Sequence, residues 1–144
     1  MSYEPHGNEY IEMYGALAKR FVSIDGQGEV SIIVEGSDEE RILLYLIGKL
    51  YALKDGLVPS AFVDSSEFME KLGIPEDSLV ELLKELGNKQ LISENRMVSR
   101  MGRRGRKSRK GMGEGRTVYY GIIVDKLEPV LKMIEARLSG SEDD

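Results

Sequence analysis

The sequence predicts an α+β fold, a helical body that carries a β-hairpin with an outsized basic loop. Three observations point to it. Ser37-Asp-Glu-Glu40 and Asp64-Ser-Ser-Glu67 each open an apolar run at helical spacing, the first as a capping box in which the serine oxygen takes a backbone N–H and Glu40 reaches back. Residues 91–98 and 117–124 read as two strands, the second rich in valine, isoleucine and tyrosine. Between them lies little but glycine, arginine, lysine, serine and methionine. A chain of 144 residues, 41% hydrophobic and 31% charged, suits one globular domain with short elaborations at its ends.

Taken in order, residues 1–8 hold nothing periodic. Tyr10, Met13, Tyr14, Leu17 and Phe21 recur at three- and four-residue steps and predict an amphipathic helix over 9–19. Its stripe of Tyr10, Tyr14, Leu17 and Phe21 reads as a packing or subunit face rather than a ligand box. FVSID and EVSIIVE flank Asp25-Gly-Gln-Gly28 and predict a β-hairpin. The stretch 38–54 is apolar on nearly every side, the mark of a central helix covered all round, and Asp55-Gly56 stops it.

The extended piece LVPSAFV leads to a second capping box at Asp64 and Glu67, then to a short helix that buries Phe68, Met69 and Leu72 and ends at Gly73. Ile74-Pro75 starts the next helix, with Pro75 in its first turn. Leu79, Leu82, Leu83 and Leu86 form its apolar stripe, and Gly87-Asn88 marks its end. After the two strands, Asp125-Lys-Leu-Glu128 caps a final helix burying Leu127, Val130, Leu131, Ile134 and Leu138, with Pro129 in its first turn. SGSEDD reads as a solvated acidic tail.

The order helix, short strand, helix, turn, helix, strand, basic loop, strand resembles the winged helix-turn-helix superfamily over roughly 38–124. SSEFMEKLGIPEDSLVELLKELGNKQLI carries the helix-turn-helix part, and NRMVSRMGRRGRKSRKGMGEGRTVYYGI looks like an enlarged wing. The resulting organisation is an N-terminal helix and hairpin extension (1–36), a winged-helix domain (37–124, wing 96–116), a C-terminal helix (125–138) and an acidic tail (139–144). The resemblance implies a non-enzymatic DNA-binding protein, a transcriptional regulator, and a homodimer joined through its terminal helices. The alternative is a winged-helix interaction module of a replication, repair or RNA-processing assembly with unspecific nucleic-acid affinity.

Charge supports nucleic-acid contact more directly. Nine of the twenty basic residues fall within 96–116, namely Arg96, Arg100, Arg103, Arg104, Arg106, Lys107, Arg109, Lys110 and Arg116, against one acid, Glu114. That segment carries +8, so with a net charge of −5 the remainder carries −13. Such sorting implies a local electrostatic role. Arginine's planar fork matches two phosphate oxygens at once, and glycines at 102, 105, 111, 113 and 115 let the backbone follow a groove. Arg103-Arg104-Gly105-Arg106-Lys107 resembles the core of an AT-hook, whose arginines lie along a narrow minor groove. Lys107 stands where that motif has proline, which puts A·T preference in doubt and leaves phosphate binding intact. DNA is the expected partner, and RNA stays open because arginine- and glycine-rich segments also bind single strands.

The third helix departs from the usual winged-helix picture. With its leucines inward it exposes Asp77, Ser78, Glu81, Lys84, Glu85 and Asn88, and Glu76, Asp77, Glu81 and Glu85 make it a poor partner for phosphates. Two arrangements are open. Either the wing dominates and this helix touches DNA only at its Lys84, Asn88 and Lys89 end, or the acidic helix faces a protein and the wing alone holds nucleic acid.

No other pattern carries chemistry. Without cysteine there is no disulfide, thiolate nucleophile or zinc–sulfur site. The acidic N-terminus has no signal-peptide pattern, and the longest apolar run, 42–47, is too short for a bilayer, so a cytoplasmic home with no membrane partner is expected. His6 is the lone histidine, with no nucleophile spaced to use it. GMGEGR lacks the lysine and serine or threonine of a phosphate loop. The first-turn acids Asp38, Glu39, Glu40, Glu76 and Asp77 suit the helix dipole rather than a metal. No catalytic constellation, cofactor or small-molecule ligand is expected.

Overall fold

A computed structural model describes the backbone of residues 7–98 and 116–143 and the side chains of 9–95 and 118–139. Two short helices, α1 (Gly7–Met13) and α2 (Gly15–Ala18), replace the single helix expected over 9–19. The break falls at Tyr14, next to Gly15, the ordinary residue least suited to a helix interior. In the turn before it, the buried Tyr51 hydroxyl donates to the Ile11 carbonyl. Burial pushes that phenol up to about 12. Ile11, Ala18 and Phe21 are buried, Tyr10, Tyr14 and Leu17 are half-buried against the core, and Met13 is 58% exposed.

Strands β1 (Val22–Ile24) and β2 (Val30–Ile32) form the expected hairpin, antiparallel with Val22 opposite Ile32. Asp25 organises its turn, its carboxylate accepting the N–H groups of Gln27 (2.8 Å) and Glu29 (3.0 Å). The backbone donors of Glu29 and Gln27 hold that carboxyl below its usual range.

Helix α3 (Asp38–Lys54) occupies the span read from the sequence. Ser37 and Glu40 make both capping-box bonds, each at 3.2 Å. The far end closes in a Schellman motif: Gly56 at φ +77 donates to Leu53, and Leu57 donates to Ala52. Ile42 to Ile47, Leu50 and Tyr51 are all buried, covered by the hairpin, α2 and the elements that follow. The hairpin sits directly on Gly48, where an added Cβ would lie 2.4 Å from a Val30 methyl.

Strand β3 (Val63–Asp64) leads into α4 (Ser65–Leu72), capped by Asp64, whose carboxylate accepts the Glu67 N–H at 3.0 Å. Glu67 is turned to other partners, the Tyr45 hydroxyl (2.6 Å) and Lys49 Nζ (3.1 Å), so the second capping box is carried by its Asp64 half. Gly73 ends α4 at φ +68, and α5 (Glu76–Asn88) follows. Pro75 is the N-cap of α5 rather than a first-turn residue, its ψ of 152° still extended. Leu79, Leu83 and Leu86 are buried and Leu82 half-buried. Helix α5 ends at Asn88, at the stop read from Gly87-Asn88. The left-handed position falls two residues later, on Gln90 (φ +63), where the N–H of Gln90 bonds Gly87 and that of Leu91 bonds Leu86.

Strands β4 (Ile92–Val98) and β5 (Arg116–Ile122) complete a three-stranded antiparallel sheet in the order β3-β5-β4. Tyr120 packs on the core with its ring centroid 6.3 Å from Phe68, which in turn meets Tyr45 edge-on at 6.1 Å. Its neighbour Tyr119 is also half-buried. A 3-10 turn, Val124–Lys126, then leads into α6 (Leu127–Asp143). This helix continues through much of the expected acidic tail, to Asp143.

Leu127, Val130, Leu131 and Ile134 of α6 join the same core as α3, and Leu138 is half-buried against it. Arg137 ties α6 to the start of α3, donating to Glu40 at 2.8 Å and to the Glu35 carbonyl at 2.7 Å. The terminal helices thus turn their apolar stripes toward the chain's own core, the packing alternative read for Tyr10, Tyr14, Leu17 and Phe21. Among the described residues their exposed large apolar side chains are Met13 and Met133. No helix among the described residues is long and apolar enough to cross a membrane.

Candidate nucleic-acid interface

The basic segment is delivered by the β4–β5 ladder. The ladder starts in the core, where Ile92 stands opposite Ile122 and both are buried. It runs through Glu94 opposite Tyr120 and Asn95 opposite Tyr119 to the last rung, Val98 opposite Arg116. Six steps along an antiparallel strand carry the chain about 20 Å, so Val98 and Arg116, the residues that flank 99–115, are paired at that distance from the buried rung. Position 96 stands opposite 118, and position 116 opposite 98, so both arginine positions fall on the ladder face that begins with Ile92 and Ile122. Arg100, Arg103, Arg104, Arg106, Lys107, Arg109 and Lys110 lie outside the described residues, as does His6.

The other three candidate contacts belong to α5 and its cap. Lys84 and Asn88 are exposed and one helical turn apart. Lys89 is drawn back onto the body, its ammonium 3.2 Å from both carboxylate oxygens of Glu39. That pairing, across fifty residues of sequence, has no local signal.

The same pattern governs the other cations of the body. Of the eleven basic side chains outside 96–116, seven are in ion pairs: Arg20 with Glu135, Arg41 with Asp38, Lys49 with Glu67, Lys54 with Glu12, Lys71 with Glu29, Lys89 with Glu39 and Arg137 with Glu40. Glu29 raises the Lys71 pKa, keeping that ammonium charged and held. Exposed pairs of this kind add little stability, but each removes a cation from the surface field. Lys19, Lys84, Lys126 and Lys132 have no ion pair among the described residues.

The carboxylates of α5 stand in contrast. Glu76, Asp77, Glu81 and Glu85 are exposed, and none takes part in an ion pair among the described residues. The exposed face of this helix is therefore as acidic as its sequence implied.

An open cleft of about 570 Å³ between the start of α3 and α6 is lined by charged groups, of which Glu40, Arg41 and Arg137 are committed to bonds within the fold. Glu40 serves Arg137 and the Ser37 N–H, while Arg41 serves Asp38 and the Leu72 carbonyl. Among the described residues no group of three or more His, Cys, Asp or Glu side chains is placed to hold a metal ion. The chain matches no family model, no curated protein and no solved structure.

Proposed function

We propose that this chain is a winged helix-turn-helix DNA-binding protein, a transcriptional regulator that grips DNA through its basic hairpin arm, 96–116. The element order α3, β3, α4, α5, β4, β5 and the strand order β3-β5-β4 support the winged-helix reading. The observation that carries the function is a contrast in charge. A register-fixed ladder presents a segment of +8 from a body whose own cations are largely tied to carboxylates.

Phosphates bind such an arm because neutralising them releases condensed counterions, and arginine forks engage two oxygens at once. Helix α5 stands off, since its carboxylates repel phosphate, and approaches DNA only at Lys84 and Asn88. The same acidic face favours a second reading, an interaction module of a replication, repair or RNA-processing assembly in which the arm supplies unspecific affinity. Gel shifts with A·T-rich duplex, G·C-rich duplex and single-stranded RNA test both. Replacing Arg103, Arg104 and Arg106 together with alanine should weaken every complex about tenfold or more at low salt. Unchanged affinity in that variant would remove the arm from the interface. Equal affinity for all three ligands would favour the module over the regulator.

A further inference from the structure

The outer face of α5 has no packing partner among the described residues. Glu76, Asp77, Val80, Glu81, Lys84 and Asn88 follow helical spacing along it, and Val80 at its centre is 56% exposed. Three of these are carboxylates with no ion pair among the described residues, a fourth, Glu85, lies further round the helix, and no described residue covers Val80. The complementary surface is present in the same sequence: segment 96–116 carries the only dense run of positive charge in the chain.

We propose that the α5 face docks the basic arm of a second copy of this chain, each copy placing its arm on the other's α5. Carboxylates accept the arginine fork as phosphates do, and the aliphatic stems of arginine and lysine can lie over Val80. Used reciprocally, one patch and one arm form two identical contacts and close a two-fold dimer, each contact raising the effective concentration of the other. Nucleic acid competes for the same arm, so phosphate binding opens the pair. The contact rests on the arm's charge, which the proposed function shares, and it is measurable with no nucleic acid present.

Sedimentation velocity of the full chain over a concentration series, at about 50 mM and about 500 mM salt, reads it out, because such contacts are screened at the higher value. The expected result is a dimer at low salt and a monomer at high salt. E76Q/D77N/E81Q/E85Q should lose the dimer, and E81Q/E85Q, which leaves the first-turn acids in place, should weaken it severalfold. R103A/R104A/R106A should weaken it as well. An equimolar mixture of the quadruple variant and the arm variant should associate more than either alone, since one intact arm then meets one intact face. A wild-type monomer at every low-salt concentration overturns the proposal. So does a dimer insensitive to the α5 changes, or a mixture no more associated than its parts. A dimer without any gel shift would sink the proposed function and leave this contact standing, and the converse result would do the reverse.

Discussion

The body and the arm handle charge in opposite ways. In the body, most cations are held one by one. Lys49 sits 3.1 Å from Glu67 and beside the Tyr45 ring, Lys71 lies 2.8 Å from Glu29, and Arg137 joins Glu40 to the Glu35 carbonyl. In the arm, nine cations face one acid. Local pairing ties one element to another, whereas a dense excess of one sign acts on a partner through its field. The difference teaches that the net charge of −5 is an average over two regions with separate tasks, and that each can be altered without the other.

Four changes break or sharpen that contrast. The largest effect belongs to the body. Phe68 is fully buried between Tyr45 and Tyr120, so Phe68→Ala should cost about 3–5 kcal/mol in urea unfolding. A loss under about 1 kcal/mol would mean that this aromatic junction is not the core described above. Ser37→Ala removes one half of the capping box and should cost about 1 kcal/mol by the same measurement, while affinity for DNA stays unchanged. A matching loss of affinity would show that body and arm are coupled.

Gln90→Gly should stabilise the fold by about 0.5–1 kcal/mol, because glycine takes the left-handed backbone without strain. Destabilisation in thermal melts would contradict the turn assigned to Gln90. The smallest effect is expected for Lys89→Ala. Its ammonium is committed to Glu39, so affinity for duplex should change by roughly twofold or less. A loss matching that of the arm triple variant would place Lys89 among the principal contacts.

The parts of the fold legible in sequence are those set by local chemistry. Helix α3 was readable to the residue because Ser37 and Glu40 mark one end and Asp55-Gly56 the other. The β1–β2 hairpin followed from Asp25-Gly-Gln-Gly28 between β-branched residues. Where distant groups intervene, local pattern fails. Tyr51 reaches Ile11 from forty residues away, beside the break that divides the expected first helix. Tyr45 and Lys49 turn Glu67 away from the cap its spacing suggested. Gly87-Asn88 did mark the end of α5, whereas the left-handed residue just beyond it, Gln90, carries no local signal.

The interface was legible as composition and illegible as pairing. Nine basic residues in 96–116 are visible at once, whereas the commitment of Lys89 to Glu39 depends on how α5 meets α3. The acidity of α5 was readable because helical spacing alone separates its leucines from its carboxylates.

The most direct test of the arm as the phosphate-binding region is the salt dependence of duplex binding, measured for wild type and R103A/R104A/R106A. Each phosphate contact on B-DNA contributes about −0.9 to the slope of log affinity against log salt. If each of the three arginines meets one phosphate, the variant's slope should be shallower by about 2.7, with its thermal melting unchanged. Identical slopes and affinities for the two proteins would contradict the account.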